Sequence, residues 1–340
     1  MNKNLEYISV AGYGSTGSSA VVDLLSEVSS CNMGINDEFR FIQDPDGLED
    51  LCSNLRDSWG WVRSDAFIRR FIKYTDIIGR SGNYFQFNGK LDIFFNNKFF
   101  YYRDEFLENI IDTKWNGYWF YHDYHERNVF EVFLEKLKRY TFKYGVSKKM
   151  IRKMTKKSTM YFVRHDVDID KYAKIFIQQL FEEVIKDKNK NKIILDQLVL
   201  PYNRYKFDAI FPNLKHIIVD RDPRDVYLDA MTYNAYPITN DIHTFISFYE
   251  SSRMKEKVVN DSVTLKIQFE DLIYQYKETK NKIFEFLNIN HSEHINKDLK
   301  LDINISKKNT QTWKRKEFEK YSSDIKIIEK NLARWCYDFD

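Results

Sequence analysis

A glycine-rich turn near the start of the chain constrains the fold more than any other feature. The apolar run at residues 6–11 ends at Gly12 and Gly14, and apolar residues with helical spacing follow over 18–26. A strand, a tight loop and a helix in this order let backbone N–H groups converge on an anion at the positive end of the helix. The segment therefore predicts a phosphate-type binding loop in an α/β protein.

Several kinds of loop share parts of this turn. Residues 12–17 match GxGxxG, and Asp37 or Glu38 lies about 20 residues further on, as a dinucleotide-binding fold requires. The turn also matches the Walker A pattern, except that Ser18 stands where that pattern has lysine. Because this lysine reaches the β- and γ-phosphates, its absence argues against a P-loop kinase or ATPase. A tight turn that binds no ligand is the remaining alternative.

The rest of the chain predicts one α/β domain with an insertion. Residues 215–220 and 263–267 are β-branched runs typical of strands, whereas residues 50–190 consist mostly of segments with helical spacing. No internal repeat or low-complexity linker separates the chain ends from the middle. We predict a single domain over residues 1–340, built from both ends of the chain, with a helical insertion at 50–190.

Three separated segments carry a resemblance to one enzyme family. Residues 12–19 read GYGSTGSS, residues 216–231 read HIIVDRDPRDVYLDAM, and residues 263–287 contain a strand, the tetrapeptide FEDL and a helix ending in Phe-Leu. In order, these resemble the 5'-phosphosulfate loop, the 3'-phosphate element and the [Y/F]-E-D-L element of sulfotransferases that use 3'-phosphoadenosine-5'-phosphosulfate (PAPS). The resemblance covers residues about 5–45 and 190–335, and it implies a P-loop NTPase-like three-layer α/β fold with a central, mainly parallel sheet and a large helical insertion.

The resemblance also implies where the donor PAPS binds. The glycine loop would hold the phosphosulfate through N–H groups and hydroxyls, and Arg221 would bind the 3'-phosphate. Residues 306–315, SKKNTQTWKR, are similar to the family's basic loop that closes over the donor. The product would be adenosine 3',5'-bisphosphate, with no metal required. The expected donor-binding residues are Gly14, Ser15, Thr16, Gly17, Ser18, Ser19, Arg221, Asp229, Lys307, Lys308 and Asn309.

Two positions depart from the family pattern. Ser15 replaces an arginine or lysine that contacts the phosphosulfate, and Asp229 replaces a serine in the 3'-phosphate element. Because a carboxylate facing a phosphate costs energy, we expect Asp229 to turn away or a hydroxyl such as Thr232 to replace it. Arg40 is the candidate to supply the charge that is missing at Ser15.

Transfer of a sulfuryl group needs an in-line acceptor, a base and positive charge on the leaving bisphosphate. The expected catalytic residues are Glu38, Arg40 and Ser18. Glu38 is the candidate base because glycan sulfotransferases often carry a catalytic Glu shortly after the first helix. An ordinary surface carboxylate is the alternative interpretation of Glu38.

The insertion contains the candidate acceptor side. Residues 115–124 include six aromatic side chains, which can stack on sugar rings or simply pack a helical subdomain. Residues 136–157 contain ten Lys and Arg and no acidic residue, a pattern that suits an anionic glycan, a lipid surface or a solvated face. We expect a glycan or glycolipid acceptor, with peripheral contact to the anionic inner face of a membrane.

Bulk composition restricts the partners further. Lys and Arg total 53 against 50 Asp and Glu, so the chain lacks the basic excess typical of nucleic-acid binding. No run of about 18 apolar residues is present, and the three cysteines have neither CxxC spacing nor an even count. We expect a cytoplasmic protein without a nucleic-acid partner or a metal.

Two other functions remain open from the sequence. An NAD(P)-dependent oxidoreductase would use the Gly12–Gly17 loop and bind the ribose through Glu38. A catalytically inactive, glycan-binding relative of the sulfotransferases would explain Ser15 and Asp229. The first alternative gives the Arg221 element no role.

Overall fold

A central parallel sheet organises the chain. The structure is a computed structural model that describes residues 5–34, 38–80, 90–119, 157–185, 190–202, 204–212, 214–233, 241–254 and 261–339, with single positions or pairs between 121 and 140. The strands are β1 (Glu6–Gly12), β2 (Cys31–Met33), β3 (Thr113–Gly117), β4 (Ser158–Phe162), β5 (Lys192–Asp196), β6 (Lys215–Asp220) and β7 (Thr264–Gln268).

The main sheet has the strand order β2-β5-β1-β6-β7, and every pairing in it is parallel. Val10 of β1 lies between Asp196 of β5 and Ile217 of β6 in the register. The carboxyl ends of the three inner strands therefore meet at one edge, where ligands bind in open α/β sheets.

Helices cover both faces of this sheet. Their hydrophobic stripes supply most of the buried side chains described below. In chain order they are α1 (Ser18–Ser26), α2 (Leu48–Asp57), α3 (Trp61–Gly79), α4 (Leu91–Phe94), α5 (Phe99–Ile110), α6 (Ile169–Val184), α7 (Pro223–Tyr233), α8 (Ile242–Met254), α9 (Phe269–Tyr274), α10 (Tyr276–Phe286), α11 (Ile303–Ser306) and α12 (Ser322–Asn331).

Two cores lie on opposite faces of the sheet because neighbouring strand residues point to opposite sides. Ile193 packs into an aromatic-rich core with α2, α3, α5 and α6, whereas Ile194 packs with α1 and α10. A third cluster joins α7, α8 and α12. This three-layer arrangement with a parallel sheet confirms the predicted fold class.

The described residues between 48 and 119 and between 157 and 184 form five helices, and they also contain a strand pair that the sequence analysis missed. Strands β3 and β4 form an antiparallel hairpin-like pair in which Trp115 lies opposite Met160. The boundaries of the insertion stay a prediction. Asp37, parts of the aromatic segment (120 and 123–124) and most of the basic segment (138–139 and 141–156) lie outside the described residues.

None of the helices in the described part of the chain combines the length and the apolar character needed to cross a bilayer.

Candidate nucleotide-binding and transfer site

The glycine loop has the strained backbone that a tight anion cradle requires. Gly14, Ser15 and Gly17 have φ values of 95°, 51° and 81°, in the left-handed region that favours glycine. Gly17 is the N-cap of α1, so the loop delivers the chain directly to the helix N-terminus. The first N–H groups of a helix have no intrahelical partner and carry partial positive charge, which suits an anionic ligand.

Close packing fixes the loop against the FEDL element. A Cβ atom on Gly17 would lie 2.5 Å from the ring of Phe269, and one on Gly12 would lie 1.8 Å from Thr16 Oγ1. Only glycine fits at either position. The first and third sequence motifs are therefore in direct contact beneath the anion cradle.

Arg221 connects the glycine loop to residues 306–315, called the closing segment from here on. The side chain is 4% exposed and follows β6 at the carboxyl edge of the sheet. Its Nη1 donates to Ser15 O at 2.7 Å, and its Nη2 donates to Asn309 O at 2.6 Å. Three segments that are far apart in sequence thus meet at one guanidinium group.

Asp229 also binds this guanidinium. Its Oδ2 accepts a hydrogen bond from Arg221 Nη1, and the two groups form an ion pair. The expectation that Asp229 turns away is wrong, and Thr232 does not take its place, because the Thr232 hydroxyl donates to Leu228 O at 2.8 Å. A 3'-phosphate on Arg221 would have to compete with a carboxylate that is already bound.

The closing segment is anchored to the start of α7. Asp225 accepts hydrogen bonds from the N–H groups of Gln311 and Thr312 at 2.9 and 2.7 Å. The Arg224 guanidinium lies 4.0 Å from the centroid of the Trp313 ring. These contacts hold the segment whose Asn309 carbonyl binds Arg221, and the side chains of Lys307, Lys308 and Asn309 are exposed.

A buried carboxyl joins the second and third motifs. Glu270 of the FEDL element accepts the N–H of Asp222 at 3.0 Å. Burial raises the pKa of Glu270 to about 8, so its carboxyl is protonated at neutral pH. Asp222 in turn binds Arg224 Nη2 at 2.6 Å. Glu270 and Arg224 therefore both hold Asp222, in the turn after β6.

Sequence reasoning missed a further buried ion pair in this region. Asp220, the last residue of β6, accepts from Arg253 Nη2 at 2.6 Å, and Lys266 Nζ lies 3.2 Å from the other oxygen. Burial opposes ionisation of Asp220, but the cation Arg253 outweighs it and lowers the pKa. Arg253 also lies 4.2 Å from the Tyr13 ring centroid, beneath the glycine loop. An acidic residue at the end of a buried strand was the available signal.

Glu38 and Arg40 lie at the other end of this edge. The N–H of Phe39 donates to Asp196 O at 2.8 Å, which places Glu38 beside the end of β5. The Glu38 side chain is 45% exposed, and Arg40 Nη1 lies 3.7 Å from it. Arg40 also pairs with Asp44 at 3.0 Å. Its described ion pairs are thus with carboxylates, and its role beside Ser15 stays a prediction.

The Ser18 hydroxyl links the glycine loop to the end of β5. The sequence analysis did not assign β5 to the site. Ser18 Oγ lies 3.5 Å from Asp196 Oδ1, and Gln197 Nε2 donates to the same hydroxyl at 3.0 Å. Burial, followed by the charge of Glu38, raises the pKa of Asp196 to about 6. An aspartate at the end of an apolar strand, in KIILD, was again the available signal. Ser19 is exposed at the helix start.

The sheet order and the glycine loop define a P-loop-like α/β protein. No protein-family model and no curated protein match the chain. Among solved structures it is similar to the sulfotransferase domain of the Synechococcus PCC 7002 olefin synthase, with 12% identity, a TM-score of 0.43, and coverage of 100% of this chain and 98% of that one.

Two further solved structures are similar. The sulfotransferase domain from the curacin biosynthetic pathway has 9% identity and a TM-score of 0.42, covering 96% of this chain and 99% of that one. Retinol dehydratase in complex with androsterone and the inactive cofactor PAP has 14% identity and a TM-score of 0.34, covering 100% and 83%. These likenesses are weak.

Proposed function

We propose that the chain transfers a sulfuryl group from PAPS to a hydroxyl or amine of an acceptor. The observation that supports this proposal is the convergence of three motifs on one guanidinium group, with the fourth packed beneath the glycine loop. Arg221 binds the glycine loop through Ser15 O and the closing segment through Asn309 O, while Phe269 packs beneath Gly17. One nucleotide between the loop and the closing segment would contact both.

Unpartnered buried atoms fit an anionic donor. Arg221 Nε and Thr16 Oγ1 are buried and have no hydrogen-bond partner among the described residues. A buried donor without a partner costs free energy, which a bound phosphate would recover. Together with the N-terminus of α1, these atoms provide the donor groups that a phosphosulfate and a ribose phosphate need.

Each part of the site has a distinct role in this proposal. PAPS supplies an activated sulfuryl group on a phosphate leaving group. The loop N–H groups and the hydroxyls of Ser18 and Ser19 orient that group and stabilise charge on the departing phosphate. Arg221 and the closing segment bind the ribose phosphate end, and a carboxylate at the β5 end of the edge takes the acceptor proton.

A glycan acceptor is the finer part of the proposal. Trp61 is 50% exposed and Trp115 is 39% exposed, and the rings of Trp61 and Trp119 meet edge to face at 5.6 Å. Exposed tryptophan rings can stack on sugar faces. Peripheral contact with an anionic membrane and a cytoplasmic location stay predictions.

One observation favours a second candidate function. Because Asp229 already neutralises Arg221, a relative that binds glycans without transferring sulfate would tolerate this arrangement. An oxidoreductase would leave Arg221 without a role, although this residue lies at the centre of the site.

Thermal denaturation with added nucleotides tests the proposal. Adenosine 3',5'-bisphosphate should raise Tm, whereas NAD and ATP should not, because only a ligand that binds the folded state stabilises it. Transfer of radiolabelled sulfate from PAPS to methyl glycosides and 4-nitrophenol separates an enzyme from an inactive relative. Stabilisation by NAD alone would contradict the proposal.

A further inference from the structure

We propose that Asp196 is the catalytic base of this transfer and that Glu38 is the carboxylate beside it. The inference rests on the proposed function and assigns its missing proton acceptor. It begins from the position of Asp196 at the carboxyl end of β5, directly beside β1. Asp196 pairs with Val10 in the register, and the N–H of Gln197 donates to Val10 O at 2.8 Å.

Asp196 lies next to the part of the loop where the transferred group would bind. Its Oδ1 is 3.5 Å from the hydroxyl of Ser18, in the first turn of α1. Gln197 Nε2 holds the same hydroxyl at 3.0 Å, so the position of Ser18 relative to Asp196 is fixed. A sulfuryl group bound at this helix N-terminus would lie within reach of the carboxylate.

Three other carboxylates at this edge already have cation partners, whereas Glu270 and Asp225 accept N–H groups that fix the turn after β6 and the closing segment. Asp220 binds Arg253, Asp222 binds Arg224, and Asp229 binds Arg221. A carboxylate held by an arginine is a poor base because the charge favours its ionised form. Within the described ranges, the structure records no ion pair for Asp196.

Glu38 is a weaker candidate for the base than its sequence position indicated. Its side chain is half exposed and faces Arg40, whereas Asp196 is held by Ser18 beside the loop. The groups that act on Asp196 are its own burial and the negative charges of Glu38 and Asp23, which favour the protonated form. The N–H of Gln197 and the Ser18 hydroxyl favour the ionised form. The balance sets a pKa near that of an efficient base at neutral pH.

The chemical step balances with these groups. The acceptor oxygen or nitrogen forms a bond to sulfur while the bond from sulfur to the bridging phosphate oxygen breaks. The electron pair of the broken bond stays on the departing nucleotide phosphate, beside the N–H groups of the loop. The acceptor proton passes to Asp196 Oδ1, and solvent removes it after the product leaves.

The experiment measures label transfer from PAPS to 4-nitrophenol, to methyl glycosides and to water, so that the result does not depend on the natural acceptor. We expect Asp196→Asn to lower kcat by about a hundredfold to ten-thousandfold, the range for loss of a general base. The Tm increase with adenosine 3',5'-bisphosphate should persist. Asp208→Asn, an exposed carboxylate paired with Arg204, is the matched control.

The pH profile separates a base from a structural residue. In the wild type, kcat/KM should rise with pH up to about 6 and then level off, following the pKa of Asp196. Asp196→Asn should lack this rise, and Glu38→Gln should move it to lower pH by removing a neighbouring negative charge. Asp196→Glu, which keeps the carboxylate, should retain the rise at a reduced rate even if the Asn variant folds poorly.

Two results would overturn the inference while leaving the proposed function intact. One is an Asp196→Asn variant with the wild-type rate and pH profile, accompanied by loss of both in Glu38→Gln. The other is activity that requires Mg²⁺ and disappears with EDTA, which would make Asp196 a metal ligand. A wild type that binds the bisphosphate but transfers label to none of the acceptors, water included, would instead reject the proposed function.

Discussion

The two ends of the sheet's carboxyl edge use their charged residues in different ways. Around Arg221, each described carboxylate on β6 and α7 has a partner: Asp220 binds Arg253, and Asp225 binds the N–H groups of the closing segment. Around Asp196, the carboxylates of Asp196 and Glu38 lie beside each other at the end of β5, and burial, followed by the negative charge of Glu38, raises the pKa of Asp196.

This difference indicates that the charged residues at the two ends of the edge have different roles. Charges that are buried and paired fix the geometry of a site, and removing one partner leaves the other unpaired at a large cost. Charges that are left without a cation keep a pKa that allows them to exchange protons. We infer that the Arg221 end holds the donor and that the Asp196 end performs the chemistry.

Removal of Arg221 should have the largest effect. Arg221→Ala leaves Asp229, Ser15 O and Asn309 O without their shared donor. Loss of one partner from a fully buried pair costs about 3–5 kcal/mol, which is the upper limit here because the Asp229 side chain is 26% exposed. We expect a lower urea midpoint and no measurable binding of adenosine 3',5'-bisphosphate by calorimetry. Arg334→Ala, an exposed arginine paired with Glu250, is the control and should change neither quantity. Unchanged binding in Arg221→Ala would break the proposed division between the two ends.

Glu270 should make stability depend on pH. The folded state raises its pKa from 4.5 to about 8, so between these values the folded chain keeps a proton that the unfolded chain has lost. The stability gained from this proton is complete below about pH 4.5 and is lost by about pH 8, with a slope of at most about 1.4 kcal/mol per pH unit. We expect the free energy of unfolding of the wild type to fall over this range relative to that of Glu270→Gln, measured by urea denaturation. Glu278→Gln, at an exposed position, should behave as the wild type.

Gly17 tests the packing beneath the loop. In Gly17→Ala the new Cβ would lie 2.5 Å from the Phe269 ring, in a residue with φ of 81°. The left-handed backbone alone costs about 1–2 kcal/mol for a residue with a side chain. We expect a lower Tm together with weaker bisphosphate binding. Gly60→Ala is the matched control because a Cβ there would meet its nearest atoms at 3.9 Å. Equal effects at the two glycines would contradict a specific contact between loop and FEDL element.

The sequence predicted the parts of the site that depend on local order. A strand, glycine turn and helix at residues 6–26, and a strand followed by Arg221, are encoded by neighbouring residues, and both form as expected. The pairing of Trp115 with Met160 and the contact of Ser18 with Asp196 join residues far apart in the chain. Such contacts are fixed by tertiary packing, which the spacing of residues in one sequence does not specify.

Asp229 is a second case in which the sequence did not specify a tertiary contact. Sequence reasoning identified the position as a departure from the family pattern but expected the carboxylate to avoid the phosphate site. The structure instead places it on Arg221, because an arginine that is 4% exposed needs a compensating charge.

Replacement of Asp229 by serine tests whether this carboxylate opposes binding of a 3'-phosphate at Arg221. Asp229→Ser removes the carboxylate partner of Arg221 Nη1, which keeps its hydrogen bond to Ser15 O, and it removes a negative charge from the place where a 3'-phosphate would bind. We expect adenosine 3',5'-bisphosphate to bind about tenfold more tightly. A hydrogen bond between charged groups contributes about 1.5–3 kcal/mol, and we expect the wild type to make part of the contact between Arg221 and the 3'-phosphate already. Calorimetry measures the affinity.

Binding of 5'-AMP, which has a 3'-hydroxyl, is the control for this last variant. A hydroxyl can donate to the Asp229 carboxylate, so the serine variant should bind 5'-AMP no better than the wild type does. The ratio of the two affinities therefore reports on the 3'-phosphate alone. If the serine variant binds both nucleotides equally more tightly, the carboxylate acts on the whole site by long-range repulsion, and Arg221 is not the specific partner of the 3'-phosphate.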